Sequence, residues 1–138
     1  MRTNTGFLLA KATQRFNELL MERFTRRGFA EVRPSFGSVL VPLFEQDGLR
    51  LGDIAEAGRL SKQAVTGLVQ QCEQTGLVAR ERDPDDGRAF RISLTRRGRR
   101  LREVAHQELA ALDEQIVAAL GSRKRAALVE ALKGVMEL

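Results

Sequence analysis

One cysteine and one histidine, Cys72 and His106, occur in 138 residues. An intrachain disulfide is therefore excluded, a multi-histidine zinc site cannot be assembled within one chain, and an oxidising compartment gains no support. Long apolar runs are also missing. Phe7-Leu8-Leu9-Ala10 and Val39-Leu40-Val41 fall far short of the roughly 20 residues a bilayer requires. Lys11 and Gln14 interrupt the apolar positions close to Leu9, which leaves no signal-peptide core and makes the cytoplasm the expected compartment. There is no internal repeat, low-complexity tract, long linker, Gly-rich phosphate loop or recognisable acid–base constellation. The expectation is accordingly a protein that is not an enzyme, with no cofactor and no metal.

What is present fits one domain: 43% hydrophobic and 30% charged residues are ordinary for a globular chain. The formal net charge of +5 favours a polyanionic partner, because each Lys or Arg that neutralises a phosphate releases a condensed counterion. Charge alone does not separate DNA from RNA or a membrane surface. The arginines, however, concentrate between Arg80 and Arg102.

Apolar periodicity organises the chain. Leu8, Ala12, Phe16, Leu19, Leu20 and Phe24 recur at spacings of three and four, predicting an amphipathic helix over 5–27 that ends at Gly28. Arg33-Pro34-Ser35 opens a second helix toward Asp47-Gly48, with Pro42 expected to kink or shorten it. Leu51 to Ala57 reads as a short helix, Gly58-Arg59 as a turn, and Ser61 as the cap of a helix to about Thr75, stopped by Gly76. Within it Ala64, Val65, Leu68, Val69 and Cys72 line one face, leaving Lys62, Gln63, Thr66, Gly67 and Gln70 outward. This is helix-turn-helix grammar. Thr95 caps a long helix to about Leu120, and Gly121-Ser122 separates it from a last helix, 123–136, with Leu128, Val129, Leu132, Val135 and Met136 on one face. The stripes of the first and last two helices exceed what the central region can cover, so they are expected to bury each other across a symmetric dimer, a bundle within one chain being the alternative.

Between Val78 and Thr95 lies a hairpin. Runs Val78–Arg82 and Ala89–Leu94 flank the turn cluster Asp83-Pro84-Asp85-Asp86-Gly87, and Phe90, Ile92 and Leu94 alternate with Arg91 and Ser93. Following a helix pair, such a hairpin is a wing. Arg88, just after the turn, can enter a minor groove, with Asp86 two residues earlier as its carboxylate partner. Lys62, Gln63 and Thr66 suit base edges in a major groove, where Lys to guanine and Gln to adenine are favoured pairings. The candidate DNA-binding set is Ser61, Lys62, Gln63, Thr66, Gln70, Asp86 and Arg88. Among Arg96, Arg97, Arg99, Arg100 and Arg102, those nearest the wing are phosphate-contact candidates. A calcium reading of Asp83, Asp85, Asp86 and Gly87 fails, since the acids do not alternate throughout and no Glu follows at the required offset. Cys72 shares the inward face with Val65, Leu68 and Val69, which marks it as a core residue rather than a redox sensor.

The segments LRLGDIAEAGRLSKQAVTGLVQQCEQTGLVAR, DPDDGRAFRISLT and RRGRRL together resemble the MarR family of bacterial transcription regulators. The resemblance implies a mainly α fold with a small β-hairpin wing, a winged helix-turn-helix over 33–98 flanked by dimerisation helices at 1–30 and 99–138. It further implies a homodimer on double-stranded DNA, with recognition helices in successive major grooves, wings in flanking minor grooves, and repression relieved by a small aromatic or anionic effector. Gly67 stands where many relatives carry a basic residue, Cys72 occupies a usual leucine position, and the N-terminal cysteine of the peroxide-sensing branch is missing. A protein-interaction module and sequence-indifferent DNA binding are the alternatives.

Overall fold

The computed structural model describes residues 1–138, which divide into two compact units, 1–105 and 106–138. The first unit begins with α1, Thr5–Arg26, whose N-cap Asn4 accepts the Phe7 N–H at 3.2 Å. Of its apolar stripe only Phe24 is buried, while Leu20 and Met21 pack partly against the core. Gly28, at φ 92°, ends the helix as expected. A 3₁₀ turn, Pro34–Phe36, leads into α2, Gly37–Glu45. Pro42 lacks the N–H that would reach the Ser38 carbonyl, and the helix stops three residues later.

Gly48, at φ 72°, turns the chain into β1, Leu49–Arg50, a two-residue strand that apolar patterning did not reveal. Then come α3, Leu51–Gly58, and α4, Lys62–Gln74. The left-handed residue between them is Arg59, at φ 52°, not Gly58, which is the last residue of α3. The Ser61 hydroxyl caps α4 by accepting the Ala64 N–H at 3.1 Å. Val65, Val69 and Cys72 are buried as the helical spacing requires, whereas Ala64 is exposed, because the cap places that first turn in solvent.

Strands β2, Val78–Asp83, and β3, Asp86–Leu94, form the hairpin, and β1 adds to the far side of β3, giving an antiparallel sheet in the order β1-β3-β2. The turn is tighter than the five-residue cluster suggested. Asp83 and Asp86 face each other across Pro84-Asp85, and the register then slips, Arg82 pairing with Phe90. Phe90 lies beyond the reach of β1, which pairs only with Ile92 and Arg91, so it is 45% exposed while Ile92 and Leu94 are buried.

The first turns of α5, Arg96–Leu120, close this unit. Thr95 caps it, its hydroxyl accepting the Gly98 N–H at 3.1 Å, and Leu101, Val104 and Ala105 enter the core. Gly98 sits against the chain entering β2: a Cβ there would lie 2.1 Å from the Leu77 carbonyl oxygen. In the second unit, Gly121 at φ 84° separates the end of α5 from α6, Ser122–Met136, and is itself the N-cap residue, so α6 begins one residue before the expected 123. Arg125 grips Asp113 through two hydrogen bonds, at 2.8 and 3.2 Å. No residue of α6 is buried, and Leu128, Leu132 and Val135 stand exposed.

Because the Gly98 contact is to backbone, Gly98→Ala is expected to lower stability by about 1–3 kcal/mol in denaturant unfolding. Gly67→Ala, where a Cβ meets nothing within 4 Å, should raise it by about 0.5–1 kcal/mol through helix propensity.

Candidate nucleic-acid interface

In α4 the polar candidates lie outside the buried stripe of Val65 and Val69. Lys62, Gln63 and Gln70 are exposed, with 62, 66 and 70 stacked one turn apart. Thr66 is half-buried, and its hydroxyl donates to the Lys62 carbonyl at 2.7 Å, leaving its methyl and two lone pairs for an incoming partner. Ser61 spends its oxygen on the helix cap. Gly67 adds no side chain to this face and leaves it open.

At the wing tip Asp86 and Arg88 are exposed. Asp86 accepts from the Arg88 backbone N–H at 3.0 Å rather than from the guanidinium. It therefore shapes the turn as an Asx-type residue, and the expected side-chain pair is not what it makes. Arg82 donates to the Gly87 carbonyl at 3.0 Å, bracing the opposite strand.

The residue that sequence reasoning assigned to turn chemistry is the electrostatic centre of the wing. Asp83 is 2% exposed. Its Oδ1 accepts the Asp85 N–H at 2.8 Å, and its Oδ2 accepts from Arg50 Nε at 2.8 Å, Arg50 Nη2 at 2.6 Å and Arg91 Nε at 3.1 Å. The Asp85 N–H and then the two guanidiniums outweigh burial and hold the Asp83 carboxyl down to about 2. The sequence signal available for this was slight: an aspartate just before a Pro-Asp turn, with an arginine next to a buried isoleucine in the following strand. Arg80 extends the tie at the wing's base, its Nε meeting Glu73 of α4 at 2.9 Å.

The arginines opening α5 divide. Arg97 donates to the Thr75 and Gly28 carbonyls, pairs with Glu31 and lies 4.9 Å from the centroid of the fully buried Phe29 ring. Arg100 is 5.0 Å from the same ring, and Arg99 donates to the Leu94 carbonyl at 3.0 Å. These three join α5 to the α1 exit loop, the α4 terminus and β3. Arg96 and Arg102 have no such structural bond, and Arg96 is exposed. Cys72 is fully buried, and burial pushes its thiol up to about 12, so it stays an unreactive core residue at neutral pH. Phe36 is buried beside a cleft of about 450 Å³ lined also by Arg33, Gln71 and Gln74.

A capped second helix with an open polar face, a short third strand and a two-stranded wing define a winged helix-turn-helix protein. A family model described as the MarR family matches residues 43–89. The uncharacterized HTH-type transcriptional regulator YdgJ of Bacillus subtilis (strain 168) is 28% identical over 94 residues, covering 68% of this chain and 57% of that protein. Among solved structures, a probable transcriptional regulator from Pseudomonas aeruginosa superposes with a TM-score of 0.80 at 25% identity, over 97% of this chain and 98% of the other. The transcriptional repressor CouR, bound to a 23-mer DNA duplex, does so with a TM-score of 0.80 at 25% identity, over 96% and 92%. The chain is thus similar to MarR-family winged-helix regulators, by the family model over residues 43–89 and by fold over nearly its whole length.

The Asp83 ties carry a pH dependence. A carboxyl held at about 2 when folded, against about 3.9 when unfolded, stabilises fully above pH 4 and loses that contribution as pH falls from about 4 through 2. The stability difference between the protein and Asp83→Asn, measured by denaturant unfolding, should therefore be largest at neutral pH and shrink across that window.

Proposed function

We propose that this protein is a DNA-binding transcriptional regulator, acting as a ligand-responsive repressor that grips a pseudo-palindromic operator as a homodimer. The observation that carries the reading is the pairing of an unobstructed polar face on α4 with an exposed arginine at the tip of a wing. Lys62, Gln63 and Thr66 read base edges in the major groove, and Gln70 and Ser61 flank them. Arg88 enters the minor groove from a turn that Asp86 shapes. CouR, similar in fold and 25% identical, is a repressor seen on a DNA duplex, and the excess of positive charge fits a phosphate backbone.

In this proposal residues 33–98 form the DNA-binding core, and 1–30 and 99–138 supply the dimer interface. The exposed Leu8 of α1 and Leu128, Leu132 and Val135 of α6 are apolar area for which a second copy is the natural cover. The cleft beside Phe36 is a place where a small effector could act on the C-terminal end of α4. A cytoplasmic location accords with this role, and no helix is long and apolar enough to cross a membrane.

Arg88→Ala should weaken duplex binding at fixed salt by about tenfold with the dimer intact; a change within twofold would remove the wing from the interface. Gln63→Ala should lose discrimination between a duplex recovered by selection of genomic fragments and a scrambled one, about 1–3 kcal/mol of preference. Equal losses on both would make Gln63 a positioning contact. A protein-interaction module, by contrast, would lack the steep log-linear decline of binding with salt. For the interface, Leu128→Glu with Leu132→Glu should shift sedimentation from dimer to monomer and cost DNA affinity with it.

A further inference from the structure

We propose that Asp83 is a positioning residue for duplex binding: by holding Arg50 and Arg91 it fixes the wing tip, and with it Arg88, relative to the helix pair α3–α4. The proposal rests on the DNA-binding reading above.

Beyond the pairs Arg91 to Arg50 and Ile92 to Leu49, the wing has only two strands, and its register is broken between Arg82 and Asp83. A two-stranded ribbon with such a break has little of its own to fix its direction. Side-chain hydrogen bonds near the tip mostly stay inside the hairpin: Arg82 to the Gly87 carbonyl, the Asp85 N–H to Asp83, and the Arg88 N–H to Asp86. The exception is Arg50. Its Cα neighbours Arg91, and β3 lies between β1 and β2, so its side chain crosses a whole strand to reach Asp83.

Arg50 is also the residue immediately before α3, its backbone N–H bonded to Asp53 at 3.3 Å. The carboxylate thus bolts the tip to the start of the helix-turn-helix. Buried among charge-assisted bonds, Asp83 acts on Arg88 through the backbone of Asp85 and Asp86 rather than by touching the duplex. The two guanidiniums retain side-chain exposures of 47% and 40%, but the carboxylates of Asp83 and Asp85 offset their charge, which favours positioning over a phosphate clamp of their own.

The test is a double-mutant cycle of Asp83→Asn and Arg88→Ala on the intact protein. Binding is measured to the duplex recovered by genomic selection and to its scrambled counterpart across a salt series, well below the unfolding temperature. Arg88→Ala should weaken binding about tenfold and reduce the magnitude of the salt slope by about one. Asp83→Asn should do the same, and the double variant should fall within twofold of Arg88→Ala alone. A merely structural Asp83 would lower the unfolding midpoint and leave the salt slope unchanged, which overturns the proposal while the DNA-binding reading stands. Losses that multiply toward a hundredfold also overturn it, since Asp83 would then act independently of the tip.

Should the wild-type protein bind neither duplex, the functional reading itself fails, and this proposal with it. If Asp83→Asn does not fold, Arg50→Gln keeps the Asp83–Asp85 turn and Arg91. It should lose at least about threefold in affinity, non-additively with Arg88→Ala, and no loss would overturn the proposal.

Discussion

The absence of a side chain at one position, Gly98, decides how the first unit is put together. It lets the opening turn of α5 rest on the Leu77 carbonyl, which also accepts the Thr95 N–H at 3.0 Å. Any Cβ there would drive helix and strand apart. From that seat Arg97 reaches three separate parts of the chain: the Gly28 carbonyl after α1, Glu31 in the following loop, and the Thr75 carbonyl at the end of α4. Arg97 and Arg100 both lie against the ring of Phe29, so a buried aromatic serves two cations that would otherwise crowd a helix N-terminus unfavourably. The position of the α4 terminus, the base of the wing and the exit of α1 all follow from this contact.

A basic chain of this kind has to spend part of its positive charge on itself. Three arginines of α5 hold the first unit together, Arg50 and Arg91 are committed to Asp83, and Arg80 is committed to Glu73. What remains outward on the α4 and wing surfaces is a smaller group in which Lys62 and Arg88 stand out. The count of arginines between Arg80 and Arg102 thus overstates the charge available to a polyanion. Their arrangement, rather than their number, supports the nucleic-acid reading.

Much of the fold was legible in sequence because it rests on local rules. The α1 and α5 stripes, the Thr95 and Ser61 caps, and the positive-φ stops at Gly28 and Gly76 all appear where apolar spacing and glycine chemistry put them. Cys72 is a core residue for the same reason. What escaped was non-local. Strand β1 is two residues long and exists only because β3 pairs with it. Arg59 takes the left-handed conformation beside an available glycine, which residue type alone does not foretell. Asp83 looked like one acid among several at a turn, and its role depends on Arg50, 33 residues away in sequence. The pairing expected between Asp86 and Arg88 had the right partners but the wrong atoms, since a residue two positions on offers its N–H before its side chain.

One central claim joins these features: α4 and the wing are presented together to one duplex, twice over, by a symmetric pair of chains. Hydroxyl-radical footprinting of the protein on a duplex obtained by genomic selection tests it most directly. Expected are two protected half-sites about one helical turn apart, roughly 34–36 Å, with flanking minor-groove protection that disappears in Arg88→Ala while the central protection remains. Uniform protection without half-sites, or flanking protection unchanged in Arg88→Ala, would contradict it.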